Sequence, residues 1–168
     1  MMLFPIDTAA VIRDGGAVGR SPADLHEAVA WWLGACHVAT QRTSVMAVAH
    51  DGHPVSRRFA DSLLSGAINA EHYACLVRDL GIQSEETLVQ ALTAGAIPGA
   101  YLTADGEATN CLIRITLYDR RAVPVDEETG LAEVRRRIAE DRVPIPVNAR
   151  SKGRVVRTLG DHGEEATP

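Results

Sequence analysis

Apolar residues recur along the chain in two patterns, one typical of amphipathic helices and one typical of buried strands. Helical spacing runs over residues 25–36 and returns over residues 59–68. The pair Ser21-Pro22 before the first run is typical of a helix start, because serine caps a helix and proline fits its first position. Two further helices are predicted over residues 84–95 and 126–138, each opening on a capping residue followed by acidic residues.

Short, mostly apolar runs between these helices predict four strands. They cover residues 45–49, 73–80, 99–104 and 111–118. Because strands and helices alternate, we predict an α/β fold: a three-layer α/β/α sandwich with a mixed, mostly parallel four-stranded sheet. Residues 1–145 are expected to form this domain. Residues 146–168 are expected to form a basic arm and a disordered tail.

Charge and composition argue against nucleic acid and membranes as partners. The 168 residues carry a net charge of −5, which disfavours nonspecific attraction to polyanions and anionic lipid. Residues 135–157 hold eight basic and two acidic residues, but no aromatic residue follows Tyr118 to stack on bases. We therefore expect a solvated helix face and arm there. The uncharged stretch 87–104 is broken by glycine and proline, so it does not predict a transmembrane helix.

The cysteines suggest a reducing compartment. Cys36, Cys75 and Cys111 each lie within an apolar run, where a cysteine packs as a small hydrophobic residue. Their odd number and wide spacing make a disulfide framework or a zinc site improbable. The first residues also lack the basic segment and apolar core of a signal peptide. A cytoplasmic protein is the resulting expectation.

Three segments in order resemble the first domain of the α-D-phosphohexomutases, the phosphoglucomutase and phosphomannomutase family. Residues 12–15, Ile-Arg-Asp-Gly, are similar to the family's N-terminal Ile-Arg-Gly element. Residues 48–56 are similar to its strand ending in Arg-Asp-Gly-Arg, followed by a serine-containing helix start. Residues 99–105 align with the glycine-initiated strand that leads into Thr-Ala-Ser-His-Asn-Pro, and Asn110 falls near the family's Asn-Gly-Ile-Lys. The resemblance covers residues 4–145.

The resemblance implies a fold and, in part, a chemistry. In that family a serine in the first domain is phosphorylated and passes its phosphoryl group to a hexose phosphate. The second domain supplies aspartates for magnesium, the third reads the sugar hydroxyls and the fourth grips the substrate phosphate. This sequence corresponds to the first domain and contains no Asp-Gly-Asp-x-Asp metal loop. We therefore expect no cofactor, with magnesium required only if a catalytic role survives.

Several positions depart from the family pattern. Asp105 stands at the phosphoserine position, and Gly106 replaces the histidine beside it. His50 and His53 replace the two arginines, and Ile113, or Arg114 after a slip of one residue, falls at the lysine. An aspartate forms an acyl phosphate and not a stable phosphate ester, and that chemistry needs a metal and a partner acid or base. Autonomous mutase activity is therefore not expected.

Candidate site residues follow from these motifs. Asp105 is the candidate catalytic residue, with a phosphoserine-mimicking carboxylate and an ordinary Asp-Gly turn as the alternatives. Arg13 has the planar guanidinium suited to a two-pronged phosphate contact, or is an ordinary surface arginine. The full candidate ligand-binding set is Arg13, His50, Asp51, His53, Thr103, Asn110 and Arg114. No bound metal is expected.

Three functions remain open from the sequence. The first is a non-catalytic domain that binds a phosphosugar or another small anion. The second is a protein-binding or homodimeric domain, because a lone copy exposes the face that its neighbouring domain covers in the family. The third is an enzyme, either one subunit of a split mutase or a repurposed catalyst that uses Asp105, His50 or His53.

Overall fold

The computed structural model describes residues 6–70, 73–142 and 151–157. The strands are β1 (Ile12–Arg13), β2 (Gly16–Ser21), β3 (Val45–His50), β4 (Leu76–Ile82), β5 (Gly99–Glu107), β6 (Asn110–Tyr118) and β7 (Arg154–Arg157). The helices are α1 (Thr8–Val11), α2 (Glu27–Gln41), α3 (Pro54–Ile68), α4 (Glu85–Gly95) and α5 (Ala132–Ala139). A π-helical turn, Glu127–Leu131, leads into α5.

The strands form one mixed sheet in the order β1-β2-β6-β5-β3-β4-β7. Strand β3 runs parallel to β4 and β5, and β4 runs parallel to β7. The pairs β1–β2, β2–β6 and β5–β6 are antiparallel. The predicted α/β class and mixed sheet are confirmed. Four strands were predicted, whereas the described residues form seven. The sheet was predicted to be mostly parallel, whereas half of the pairings among the described strands are parallel.

Helices cover the two faces of the sheet unequally. Buried side chains of α2, α3 and α5 form the larger core with residues of β3, β5 and β6. On the opposite face, Leu88 and Leu92 of α4 pack against Ala47, Ala49 and Tyr101 of β3 and β5. The three predicted layers are therefore present. The α4 layer covers the β3–β5 part of its face, whereas the short helix α1 contacts β1 and β2 at the other end of the sheet.

The first helix predicted from the sequence, which is α2 in the structure, begins later than its sequence pattern suggests. Ser21 ends β2, where it pairs with Cys111, and α2 begins at Glu27 after the capping residue His26. The serine-proline pair thus lies in the loop that joins β2 to α2, a loop held by backbone hydrogen bonds from Asp24 and Leu25 to the Arg20 carbonyl. Helix α4 begins as predicted, because the Ser84 side chain accepts a hydrogen bond from Thr87 N at 3.1 Å.

The predicted basic arm contributes an edge strand. Residues 154–157 form β7, which pairs with β4 from Leu76 to Asp79. The expected domain boundary at residue 145 and the predicted tail, residues 160–168, lie outside the described residues. Within the described ranges, no helix has both the length and the hydrophobicity needed to cross a bilayer.

The three cysteines pack in the interior as predicted. Cys36, Cys75 and Cys111 are buried free thiols. Burial raises the pKa of Cys36 and of Cys75 to about 12, so both are uncharged at neutral pH.

Helices α2 and α3 touch backbone to backbone through two glycines. A Cβ atom added to Gly34 would lie 2.1 Å from the Leu63 carbonyl oxygen, and one added to Gly66 would lie 1.9 Å from the Trp31 carbonyl oxygen. Neither carbonyl can move without moving its own helix. The two glycines therefore set how closely α2 and α3 approach each other.

We predict that Gly34→Ala lowers the free energy of unfolding by about 1–3 kcal/mol, because the added methyl group overpacks the helix contact. Gly95→Ala is the matched control, since a Cβ there meets only the Ile97 side chain, at 3.4 Å. Urea unfolding followed by circular dichroism measures both variants. Equal stability of Gly34→Ala and the unaltered chain would contradict the role of this contact.

Candidate functional site

Asp51 connects the loop after β3 to strand β5. Its Oδ1 accepts a hydrogen bond from His53 N at 3.0 Å, and its Oδ2 accepts one from Ala104 N at 2.9 Å. Asp51 N in turn donates to the Leu102 carbonyl oxygen at 3.0 Å. Both carboxylate oxygens thus hold two chain segments together just before α3.

The Asp51 carboxylate is stabilised in its charged form. Partial burial raises its pKa, but hydrogen bonds from Ala104 N and His53 N, with the nearby Ser56 hydroxyl, outweigh burial and hold the pKa below its usual value. Ser56 Oγ is fully buried and makes no hydrogen bond of ordinary geometry in the described part of the chain, so it acts on Asp51 through proximity. Asp51 is therefore an anion at neutral pH.

His53 fixes the β5–β6 hairpin to the start of α3. Its Nε2 lies 2.9 Å from the Gly106 carbonyl oxygen, and its Nδ1 accepts a hydrogen bond from Val55 N at 3.1 Å. Because a carbonyl oxygen only accepts, Nε2 carries the proton and the ring is neutral in this arrangement. Both ring nitrogens are therefore engaged within the protein.

Asp105 lies in a regular strand and not in a loop. Strands β5 and β6 pair over their whole length, from Gly99 with Tyr118 to Glu107 with Asn110, around a two-residue turn at 108–109. The Asp-Gly turn that the sequence offered as one alternative at residues 105–106 is thus wrong, because the antiparallel pairing continues past these residues. Gly106 has φ +112°, a conformation that the histidine of the family motif would rarely adopt.

The hairpin brings four candidate residues to one corner of the sheet. Thr103 pairs directly with Arg114, Asp105 pairs with Leu112, and Asn110 stands beside the turn. Directly paired residues point to the same side, and Tyr101 on this strand packs against α4. Thr103, Asp105 and Arg114 therefore share the α4-side face, beyond the part that α4 covers.

Three arginines surround Val18 on that part of the face. Val18 pairs with Arg114 across the strands, and Arg20 lies two residues further along β2 on the same face. Arg13 pairs with Gly16, two residues before Val18, and is therefore its diagonal neighbour. Val18 is only 2% exposed, and the short helix α1 contacts its strand, β2. We call Arg13, Arg20 and Arg114 the arginine triad.

A groove of about 580 Å³ runs beside Arg13 and Arg20 of the triad, and Arg114 is not part of its lining. Its lining includes Arg13, Val18, Arg20 and Leu112. Asp7 and Asp24 also line it, but each accepts a hydrogen bond from a backbone N–H, Asp7 from Ala10 and Asp24 from Arg20. Arg20 was missed from the sequence, since it belongs to the face only through the register of β2.

The three arginines of the triad differ in whether they form an ion pair. Arg13 forms an ion pair with Asp14 and donates from Nε to the Ala10 carbonyl oxygen at 3.0 Å. Arg20 and Arg114 side chains make no ion pair with any described residue. Arg13 lies four strands from β3, roughly 19 Å from Asp51 at the usual strand spacing, so the structure separates these two predicted site residues.

His50 points away from this face. It alternates with Ala49, which packs against α4, and lines a separate cleft beside α3. His50 therefore does not join Asp105 and Arg114 in one site. No group of three or more His, Cys, Asp or Glu side chains in the described ranges is arranged to hold a metal ion.

We predict that Asp51→Asn lowers the free energy of unfolding by about 1 kcal/mol at pH 7, because it weakens the hydrogen bonds that the carboxylate accepts from His53 N and Ala104 N. The lowered pKa of Asp51 means that its stabilisation is present above about pH 4 and is lost as the pH falls through the folded-state value. The difference between the variant and the unaltered chain should therefore shrink in acid. Asp105→Asn is the control for loss of a charge, because Asp105 is exposed and its side chain makes no hydrogen bond with a described residue. A difference in unfolding free energy between Asp51→Asn and the unaltered chain that does not change with pH would contradict the assignment.

Comparison with known proteins places the fold. No protein-family model matches the sequence, and no curated protein matches it. A phosphoglucomutase/phosphomannomutase family protein from Burkholderia thailandensis superposes with a TM-score of 0.62 at 19% identity, over 91% of this chain and 33% of that one. A candidate phosphomannomutase from Thermus thermophilus has a TM-score of 0.62 at 19% identity, over 94% of this chain and 34% of that one. The chain therefore has the fold of about one third of these proteins, which confirms the expected resemblance at the level of the fold.

Proposed function

We propose that this chain is a binding domain for a small phosphorylated sugar and that it does not itself transfer the phosphoryl group. The observation that carries the proposal is the arginine triad around Val18, on the part of the sheet face that lies beyond α4. Guanidinium groups bind phosphate oxygens through paired N–H donors. Arg20 and Arg114, having no ion pair with a described residue, are available for such contacts.

The sugar part of the ligand is suggested by the neighbouring structures. Their names specify phosphoglucomutase and phosphomannomutase, which points to hexose phosphates. Thr103, Asp105 and Asn110 lie on the hairpin next to Arg114 and offer the polar groups that sugar hydroxyls need. A hexose phosphate bound with its phosphate at the triad would extend along the hairpin.

The hairpin favours binding over phosphoryl transfer. The Asp105 side chain makes no hydrogen bond or ion pair with a described residue, so no acid or base of the described chain contacts it. The nearest candidates are committed elsewhere: Asp51 to two backbone N–H groups, and His53 to Val55 and Gly106. For Asp105 to act as a nucleophile, alone or in a split mutase, a metal ion would have to bind beside it. Asp51 or His53 would also have to leave its present hydrogen bonds to act as the partner acid or base.

A protein partner or a second copy of the chain would need exposed apolar side chains on this face. Protein interfaces bury apolar side chains at their centre. The exposed large apolar residues in the described part of the chain are Ile82, Val123 and Val156, and none lies on β1, β2 or β6, the strands that carry the triad. A small anion therefore fits the face better, while homodimer formation and a cytoplasmic location stay predictions.

We predict that hexose 1- or 6-phosphates stabilise the chain in a thermal-shift titration. A ligand at about one hundred times its Kd stabilises the fold by roughly 2.7 kcal/mol, which raises the Tm by roughly 5–10 °C in a domain of this size. Arg114→Gln and Arg20→Gln should each remove most of that shift. Arg78→Gln changes an exposed arginine on β4, three strands away from β6, and should leave the shift unchanged.

Two further results bear on the proposal. A shift that survives in the Arg20→Gln, Arg114→Gln double variant would place the ligand elsewhere and overturn the assignment. Incubation with a radiolabelled hexose bisphosphate and magnesium tests transfer directly, because an acyl phosphate on Asp105 is labile to hydroxylamine. Hydroxylamine-sensitive label that disappears in Asp105→Asn would establish catalysis and refute the non-catalytic part.

A further inference from the structure

A second site lies on the opposite face of the sheet, where β3, β4 and β7 end beside α3. This α3 cleft has a volume of about 180 Å³. Its lining consists of His50, Arg57, Ala60, Asp61, Leu64, Asp79, Gly81, Ile82 and Arg157. The three strands are parallel, and their carboxyl ends meet at this edge, which is where open α/β sheets bind ligands.

His50 supplies a buried hydrogen-bond donor to the cleft. The residue is 6% exposed, and its Nδ1 accepts a hydrogen bond from Gly52 N at 3.1 Å. Accepting at Nδ1 leaves the proton of the neutral ring on Nε2. Among the described residues, no acceptor takes a hydrogen bond from Nε2, so the donor is available to a ligand.

Two cations and two anions line the same cleft without strong mutual pairing. Arg57 and Asp61 lie four residues apart on α3, a spacing that favours an ion pair, yet neither forms one with a described residue. Arg157 Nε lies 3.9 Å from Asp79 Oδ2, at the limit of an ion pair. Asp79 Oδ1 accepts a hydrogen bond from Gly81 N at 2.9 Å.

This balance of charge selects against simple ions. An anion would approach Asp61 and Asp79 as closely as the guanidinium groups, and a cation would meet Arg57 and Arg157. A molecule that carries both charges satisfies both pairs. The volume is below the 300–1,000 Å³ typical of drug-sized ligands, so the molecule must be small.

We propose that the α3 cleft binds a small zwitterion of the α-amino acid class. Arg57, Arg157 and His50 Nε2 contact the carboxylate, and Asp61 and Asp79 contact the ammonium group. Ala60, Leu64 and Ile82 form an apolar wall that favours a small aliphatic side chain. The site is independent of the arginine triad, because the sheet lies between them.

Titration of the isotope-labelled full chain followed by amide NMR shifts tests the proposal, with L-alanine as the probe. Resonances of α3 and of the β4 end near Gly81 should shift saturably. Acetate, methylammonium and glucose present the anionic, cationic and uncharged alternatives. Each should bind at least tenfold more weakly than L-alanine, because each leaves at least one pair of charged side chains without a partner.

Substitutions then assign the contacts. Arg57→Gln and Asp61→Asn, both at exposed residues, should each weaken L-alanine binding at least tenfold while preserving the dispersed spectrum of the folded chain. Arg58→Gln is the matched control, since the neighbouring Arg58 pairs with Glu27 at 3.2 Å outside the cleft. The proposal is overturned if L-alanine produces no saturable shift, if acetate or glucose binds as tightly, or if Arg58→Gln weakens binding as much as Arg57→Gln.

Discussion

The approach of α2 to α3 is the constraint on which the larger core depends. Gly34 and Gly66 let the two helix backbones touch, and α2 thereby packs closely on α3, the helix that contacts β3 and β5. The beginning of α3 then falls beside the ends of the parallel strands. Asp51 and His53 connect that helix start to β5, so the helix layer and the hairpin are positioned together.

The β5–β6 hairpin determines which side chains are exposed at its corner of the sheet. Full pairing of β5 with β6 replaces an extended loop with two regular strands, and the His53 contact to Gly106 holds them against α3. Thr103, Asp105 and Arg114 then lie on one open face of two regular strands. The strand pairing fixes the backbone positions from which these side chains extend, so they reach the same region of the surface.

Local charge differs from the overall charge of the chain. The net charge is −5, yet the arginine triad places three cations around one valine, and within the described part of the chain only Arg13 of the three is paired with an acid. The α3 cleft combines two arginines with two aspartates. The two faces of one sheet therefore present different charge patterns, which is why the proposed ligands differ in chemistry.

The sequence by itself determined the elements whose signals are local. The apolar run of β3, the Ser84 cap of α4 and the α/β alternation depend on neighbouring residues only, and the structure contains each of them. Tertiary structure decided the rest. Gly16–Ser21 has weak strand propensity and is a strand because it pairs with β6, and that register alone makes Arg20 a neighbour of Arg114. Asp105-Gly106 has the local signal of a turn, but cross-strand hydrogen bonds outweigh it and move the turn to residues 108–109.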